Sequence, residues 1–445
     1  MKVAVIGTGY VGLVSGVCLA EKGHQVTCVD KDEDKVASIN RGKSPIYEDG
    51  LDALLHANIG KRMSATTDLR AAILETDLAL IAVGTPFDGS AIDISYIRAA
   101  AREIGEVLAD YDGYYVVVVK STVVPGTTEE IVLPELERAS GKHAGRDFGV
   151  GMNPEFLREG AAIPDFMEPD RIVLGGIDER THKRMGDLYA VFEGVDKLFA
   201  SPKTAEMIKY AANSMLATLI SFSNEIGNLC ASLGGIDVVD VQRGFHLDKR
   251  LTPILPDGSR VVPDITSYLE AGCGFGGSCF PKDVKALIAH GRAADTPMDL
   301  LEAVIRINEI QPLKLLELLH KHFDTLRGLK VAVLGLAFKA GTDDMRESPA
   351  IPLVNRLIEE GCDIRAFDPV AEDEARKLFP DSALQYYPTL EETIENVDVV
   401  VLVTRWPEFA RLPGLLEGED SQPLLIDGRR MLPRDSVARY EGIGM

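Results

Sequence analysis

Long apolar runs are missing from this sequence of 445 residues. Hydrophobic residues make up 46% of it, yet they come in short bursts with strand-like patterning, too short to span a membrane. A leader is not expected either. Met1 passes directly into Lys2-Val3-Ala4-Val5-Ile6, a strand pattern, so neither a signal peptide nor a targeting extension is expected. Cysteine is scarce and scattered. Cys18, Cys28, Cys230, Cys273, Cys279 and Cys362 show no metal-ligand spacing, so no metal is expected and a reducing, cytoplasmic location suits them. Positive charge is in deficit: 47 Lys and Arg against 69 Asp and Glu leave a net charge of −22. That balance argues against nucleic acid or an anionic membrane as partner. An anionic ligand would need particular Lys and Arg residues to offset the field locally. Otherwise the composition is that of an ordinary globular protein, on a chain long enough for two or three domains.

The densest signal is Gly272-Cys273-Gly274-Phe275-Gly276-Gly277-Ser278-Cys279-Phe280-Pro281-Lys282-Asp283. Its glycines allow close backbone approach to a ligand and left-handed conformations. Cys279 follows at once, and Lys282 and Asp283 come three and four residues later, within reach of one helical turn. A thiol beside a cation and a helix N-terminus is set up to ionise and react. The bland alternative is a glycine-rich turn with a buried structural cysteine.

At the start of the chain, Gly7-Thr8-Gly9-Tyr10-Val11-Gly12 follows a strand and opens a helix ending near Gly23. A second strand, Gln25 to Val29, ends in Asp30. Strand, glycine turn, helix and terminal acid together form the dinucleotide-binding fingerprint. The glycines let a helix N-terminus meet a pyrophosphate, and Asp30 suits ribose hydroxyls while repelling a 2′-phosphate, so NAD is expected rather than NADP. Two more strands, Asp77 to Val83 and Tyr115 to Lys120, run into Gly84-Thr85-Pro86 and Ser121-Thr122. These are small and hydroxylated residues at strand carboxyl ends, where open α/β sheets bind ligands. Thr122 could equally cap the helix that follows Pro125-Gly126.

In Asn153-Pro154-Glu155-Phe156-Leu157-Arg158-Glu159-Gly160, Glu155 and Glu159 share a face if the segment is helical. Paired carboxylates serve acid/base chemistry, but a solvated charged turn produces the same pattern. From Lys203 to about Leu233 a long helix carries Glu206, Lys209 and Asn213 on one face; exposure is the default for such a lysine. A helix of this length joins domains and often forms a subunit interface. Residues 251–264 read as a loop or small hairpin, followed after the cysteine segment by helices from Asp283 to His290 and from Pro297 to near Phe323. Leu329 to Gly335, Asp363 to Asp368 and Asp398 to Val403 then echo the opening strands, a second α/β unit. Its Gly335-Leu336-Ala337-Phe338-Lys339 lacks the second glycine and offers a lysine, which suits a nucleotide diphosphate better than a dinucleotide.

Taken together, GTGYVG at 7–12, VGTP at 83–86, KSTVVPGT at 120–127, NPEFLREG at 153–160, AEMIKYAANSM at 205–215, GFGGSCFPKD at 274–283, GLAFKAGTDDMRESPA at 335–350 and IDGRR at 426–430 resemble the UDP-glucose/GDP-mannose dehydrogenase family over essentially the whole chain. The resemblance implies two Rossmann-like, doubly wound parallel-sheet domains joined by a long central helix and a helical middle domain. The bounds expected are an NAD domain at 1–200, a central domain carrying the cysteine loop at 201–315 and a nucleotide-sugar domain at 316–445. It implies NAD-dependent oxidation of a nucleotide sugar, UDP-glucose by expectation, to the uronate through a thiohemiacetal and thioester on Cys279. GDP-mannose oxidation and non-catalytic nucleotide-sugar binding are the alternatives. By resemblance, Lys209 and Asn213 stabilise an oxyanion, while Thr122, Glu155, Glu159 and Asp283 handle protons and water. Cofactor contacts are implied for Gly7, Gly9, Tyr10, Val11, Gly12, Asp30, Lys35, Gly84, Thr85, Pro86, Ser121, Thr122, Glu159, Lys282 and Arg346. Substrate contacts are implied for Glu155, Phe156, Leu157, Lys209, Asn213, Arg250, Tyr268, Phe275, Gly276, Cys279, Phe338, Lys339 and Arg429. Arg250 would reach across the interface of a homodimer or higher homo-oligomer.

Overall fold

Short runs of Val, Ile, Ala and Leu flanked by glycine turns form two open sheets, in two compact units covering Met1–Ala212 and Asn213–Met445. The computed structural model describes residues 1–417 and 422–445. In the first unit the strands are β1 (Lys2–Ile6), β2 (Gln25–Val29), β3 (Met63–Thr66), β4 (Leu78–Ile81), β5 (Tyr115–Val119), β6 (Phe148–Met152), β7 (Arg171–Gly176) and β8 (Asp196–Ala200). They lie in the order β3-β2-β1-β4-β5-β6-β7-β8. Residues on β1 alternate between the two faces: Val3 and Val5 join one buried cluster, Ala4 and Ile6 the other. Both faces are covered, and so the strands read as continuous apolar runs. One pairing departs from the parallel sheet expected: β6 and β7 run antiparallel, with Gly151 opposite Gly176.

The second unit repeats the plan with β9 (Lys330–Leu334), β10 (Asp363–Phe367), β11 (Gln385–Tyr386), β12 (Val399–Leu402), β13 (Leu424–Asp427) and β14 (Tyr440–Gly442). The order is β11-β10-β9-β12-β13-β14, parallel throughout. The strand order reverses beside β1 in one sheet and beside β9 in the other, the place where such sheets bind ligands.

Two helical expectations change. The helix after Cys279 is Phe280–Ala293, beginning ahead of Asp283 because Pro281 falls in its first turn, where a missing N–H costs nothing. The helix expected from Pro297 to Phe323 is broken: Asp299–Ile310 gives way to a 3₁₀ turn at Gln311–Leu313, containing Pro312, before Lys314–His320. Residues 251–264 include a small hairpin, with Ile254 bridged to Arg260 and Leu255 N–H donating to the Ser259 carbonyl at 2.8 Å. The long helix is Pro202–Leu233, and the boundary between the units falls within it. Among the described residues no helix is long and apolar enough to cross a membrane.

Candidate functional site

The first glycine turn is shaped for a pyrophosphate. Gly7 takes φ +96° and donates its N–H to the Val29 carbonyl at 2.7 Å. A Cβ on Gly7 would sit 2.8 Å from the Ala82 carbonyl oxygen, and one on Gly12 would sit 1.9 Å from that of Gly7. A Cβ on Gly9 would meet nothing, and no side chain caps the helix Tyr10–Glu21 that begins with Tyr10 and Val11. The outer glycines therefore serve close packing, and the middle one leaves the positive end of a helix open to an anion. Asp30 is partly exposed beside it. Its Oδ2 accepts from the Thr8 N–H at 2.8 Å and hydroxyl at 2.6 Å, and its Oδ1 from the Asp32 N–H at 3.1 Å. Burial pushes this carboxyl up, but those hydrogen bonds and the field of Lys35 outweigh it and hold it below its ordinary value. A charged carboxylate with remaining acceptor capacity fits a ribose.

The turns after β4 and β5 are stitched together at the same sheet edge. Thr85 donates its hydroxyl to the Thr122 carbonyl at 2.9 Å, and Ser121 to the Val83 carbonyl at 2.7 Å, while Gly84 and Pro86 stay exposed. Thr122 does not cap the helical turn that follows, which has no side-chain cap. Sequence reasoning missed Glu48. Its carboxylate takes the Tyr10 hydroxyl together with the N–H groups of Gly160 and Ala162, both at 2.7 Å. It thereby ties the turn carrying Glu159 to the dinucleotide helix.

Residues 153–158 belong to no helix or strand, which corrects the shared helix face of Glu155 and Glu159. Pro154 pushes Asn153 out of helical backbone, and Glu155 Oε2 takes the Leu157 N–H at 2.6 Å. The Lys209 ammonium lies 2.9 Å from Glu155 Oε1, with both side chains about 5% exposed or less. The exposure expected by default for Lys209 is overturned. Lys120, also buried, donates to Asn153 Oδ1 at 2.9 Å, an oxygen that also accepts the Tyr189 hydroxyl. Burial pulls Lys120 down to about 8, with Glu155 opposing and Lys209 adding to the fall. Burial pushes Glu155 up, but Lys209, the Leu157 N–H and Lys120 win and hold it below its ordinary value. Two buried cations thus flank one buried carboxylate. A lysine closing the valine run 116–119 was the signal for Lys120, and it passed unread. Phe156 lies under the Arg171 guanidinium, 4.0 Å from its ring centre, and Leu157 packs on the core.

In the second unit Cys279 is the N-cap residue of Phe280–Ala293, partly exposed, with Sγ 3.6 Å from the Ser278 hydroxyl. Asp283 sits in the first turn, 1% exposed. Its N–H donates to the Cys279 carbonyl at 2.8 Å; Oδ1 accepts from Lys282 at 2.6 Å and Oδ2 from the Asn213 amide at 2.7 Å. Asn213 lies one turn beyond Lys209 on the long helix. Phe275 and Tyr268 stack around Phe280 at 5.9 and 6.2 Å. A Cβ on Gly276 would lie 2.2 Å from the Glu347 carbonyl oxygen, so only glycine lets the loop reach the segment that carries Phe338 and Lys339. Arg429 is absorbed by main chain, donating to the carbonyls of Val403, Gly274 and Phe338. Arg346 chelates Asp344, and Arg250 folds back on Asp248 with its side chain 89% exposed. Cys273 is buried and donates to the Val403 carbonyl. Among the described residues no cysteines pair, and no group of His, Cys, Asp and Glu could hold a metal.

The second glycine turn copies the first and then closes it. Gly335 N–H donates to the Phe367 carbonyl at 2.8 Å, the counterpart of Gly7 to Val29. Asp368 stands where Asp30 stands, but it is 5% exposed and fully engaged. Its Oδ2 accepts from Leu336 N–H, Ala337 N–H and the Trp406 indole, and its Oδ1 from Val370 and Ala371. No acceptor is left for a ribose.

Three family models cover the chain in order: the UDP-glucose/GDP-mannose dehydrogenase family NAD binding domain at 1–193, its central domain at 203–310 and its UDP binding domain at 332–434. The chain is 43% identical over 450 residues to the UDP-glucose 6-dehydrogenase AglM of Haloferax volcanii, with 100% of both chains covered. It is 43% identical over 462 residues to a UDP-glucose 6-dehydrogenase of Rhizobium meliloti, covering 100% of this chain and 99% of that one. Among solved structures, a UDP-glucose dehydrogenase from Pyrobaculum islandicum matches with a TM-score of 0.89 at 38% identity, covering 100% of this chain and 97% of that one.

Proposed function

Since this chain belongs to the UDP-glucose/GDP-mannose dehydrogenase family and is an NAD-dependent nucleotide-sugar dehydrogenase, we propose that it oxidises the C6 alcohol of UDP-glucose to the carboxylate of UDP-glucuronate. NAD supplies a hydride acceptor, twice per turnover. Gly7, Gly9, Tyr10, Val11 and Gly12 hold its pyrophosphate end, Asp30 and Lys35 the ribose, and Gly84, Thr85, Pro86, Ser121 and Thr122 the rest. The single observation that carries the reading is a partly exposed thiol at the N-terminus of Phe280–Ala293, where the helix favours negative charge. The Cys279 thiolate adds to the C6 aldehyde, forming a C–S bond and an oxyanion that takes a proton. Loss of hydride and that proton from the thiohemiacetal gives a thioester, and water cleaves the C–S bond to release carboxylate and thiol. The covalent bond also keeps the aldehyde from escaping.

Asn213, held by Asp283, presents its remaining amide hydrogen as an oxyanion donor, and Asp283 with Thr122, Glu155 and Glu159 handles protons and water. Lys209 supplies positive charge to the same oxyanion. Its ammonium is paired with the buried Glu155 carboxylate. Phe275, Gly276, Tyr268, Phe338 and Lys339 receive the nucleotide sugar, and Lys282, Arg346 and Arg250 complete the charge around its phosphates and the cofactor. The chain divides as 1–200 for NAD, 201–315 as the central domain and 316–445 for the nucleotide sugar. A homodimer is supported by Met215, Phe222 and Leu229, exposed at seven-residue spacing on one stripe of the long helix.

The test is steady-state formation of NADH and uronate from UDP-glucose and from GDP-mannose. UDP-glucose is expected to have the higher kcat/KM, with two NADH per uronate. Cys279→Ala is expected to abolish uronate while NAD still binds by fluorescence titration. Uronate formation by that variant near the wild-type rate would sink the thioester route, and a higher kcat/KM for GDP-mannose would move the substrate assignment.

A further inference from the structure

The stretch Ala271 to Gly277 is buried along its whole length but belongs to no helix or strand. Its main-chain groups therefore lack the partners that regular structure supplies, and each must be met some other way. Arg429 meets the Gly274 carbonyl and the Arg346 carbonyl meets the Gly277 N–H, while amide side chains meet Gly272 and Phe275. Gly272 N–H donates to Asn224 Oδ1 at 2.8 Å, and Gln311 Nε2 donates to the Gly272 carbonyl at 2.8 Å. Asn308 serves Phe275 at both ends: its Oδ1 accepts the Phe275 N–H at 2.8 Å and its Nδ2 donates to the Phe275 carbonyl at 2.9 Å. Asn228 donates to Gln311 Oε1 at 2.9 Å behind them, and Asn224 and Gln311 are themselves fully buried. Gly274 has its reason here, since a Cβ would lie 2.8 Å from Asn308 Oδ1.

A primary amide that bonds both the N–H and the C=O of one residue reproduces what a neighbouring strand would do. It fixes the peptide plane on both sides, which a hydroxyl or a carboxylate of that reach cannot do. We propose that Asn308, backed by Gln311 and Asn224, is a positioning residue for the thiol loop, setting the direction in which the chain delivers Cys279 four residues later. This rests on the reading of Cys279 as the nucleophile, but the loop geometry can be measured apart from turnover.

The experiment follows alkylation of Cys279 by iodoacetamide, peptide by peptide in the mass spectrometer, alongside steady-state kinetics. Half-buried Cys362, just ahead of β10, serves as internal reference. Asn308→Leu removes both bonds at constant size, and Asn308→Asp keeps only the acceptor for the Phe275 N–H. In folded Asn308→Leu the Cys279 alkylation rate and its pH profile are expected to shift while Cys362 stays put. Turnover should fall about ten- to a hundredfold, the effect of an ångström-scale misplacement, with KM for NAD unchanged. Asn308→Asp should fall between that variant and the wild type. If Asn308→Leu does not fold, Asn308→Asp and Gln311→Met carry the test by the same readouts. A variant that melts earlier but keeps the wild-type Cys279 alkylation profile and turnover would overturn the proposal. Shifted alkylation together with a Cys279→Ala enzyme that still makes uronate would leave the loop assignment standing and remove the nucleophile instead.

Discussion

Lys209 and Glu155 carry opposite charges almost out of reach of water, and a second buried cation, Lys120, stands in the same field. Such a pair is costly to assemble and costlier to break, because removing one partner strands the other. Lys209→Met should therefore lower unfolding stability by about 3–5 kcal/mol, the usual penalty for an orphaned buried charge. Urea titration would register it as a lower midpoint. Adding Glu155→Gln should recover part of the loss, since no charge is then stranded. Strictly additive losses in the double variant would mean that the two side chains are not energetically coupled. The same contact explains why Lys209 was misread: nothing along one helix face reveals a carboxylate arriving from residue 155.

Among elements, the long helix is anchored to the turn after β5 through Glu206. Its carboxylate accepts the N–H groups of Gly126 and Thr128 at 2.6 and 2.8 Å and the Thr128 hydroxyl at 2.6 Å. Burial pushes this group up to about 7 in spite of those three bonds. An unfolded glutamate releases its proton near its ordinary value of about 4, so between about 4 and about 7 the folded state binds more protons. Stability contributed by Glu206 should then fall as pH rises through that window and level off above about 7. Across this range the wild type should lose stability relative to Glu206→Gln as pH rises, since the amide cannot titrate. A pH-independent difference would place the Glu206 proton elsewhere. Helix limits were harder to read than helix existence. Pro281 sits inside a first turn, ahead of the expected start at Asp283, whereas Pro312 interrupts a helix expected to be continuous.

At the scale of the whole molecule, two units share one strand order about their first strands, yet only one keeps an open turn for a dinucleotide. In the first, Gly9 leaves a helix end clear and Asp30 is partly exposed; in the second, five donors close on Asp368. Calorimetric titration should accordingly give one NAD per chain, and Asp30→Ala should weaken that one site. Asp368→Ala should instead lower the melting temperature and leave NAD affinity where it was. Two equivalent NAD sites per chain would refute the distinction.

The two α/β units, the dinucleotide turn, the long helix and the reactive-looking thiol were legible in the chain, because each is written in local spacing: strand, glycines, acid, or a cysteine followed by one helical turn. Which polar groups face one another emerges only on folding. Glu155 with Lys209, Lys120 with Asn153, Asn213 with Asp283 and Asn308 with Phe275 are each joined across 33 to 70 residues of chain. Hydrogen bonds and ion pairs act over a few ångströms, whereas periodicity reports only a residue's own element. Long-range partnership of this kind leaves no trace in spacing, and it is settled when the core closes and every buried donor, acceptor and charge must find its match.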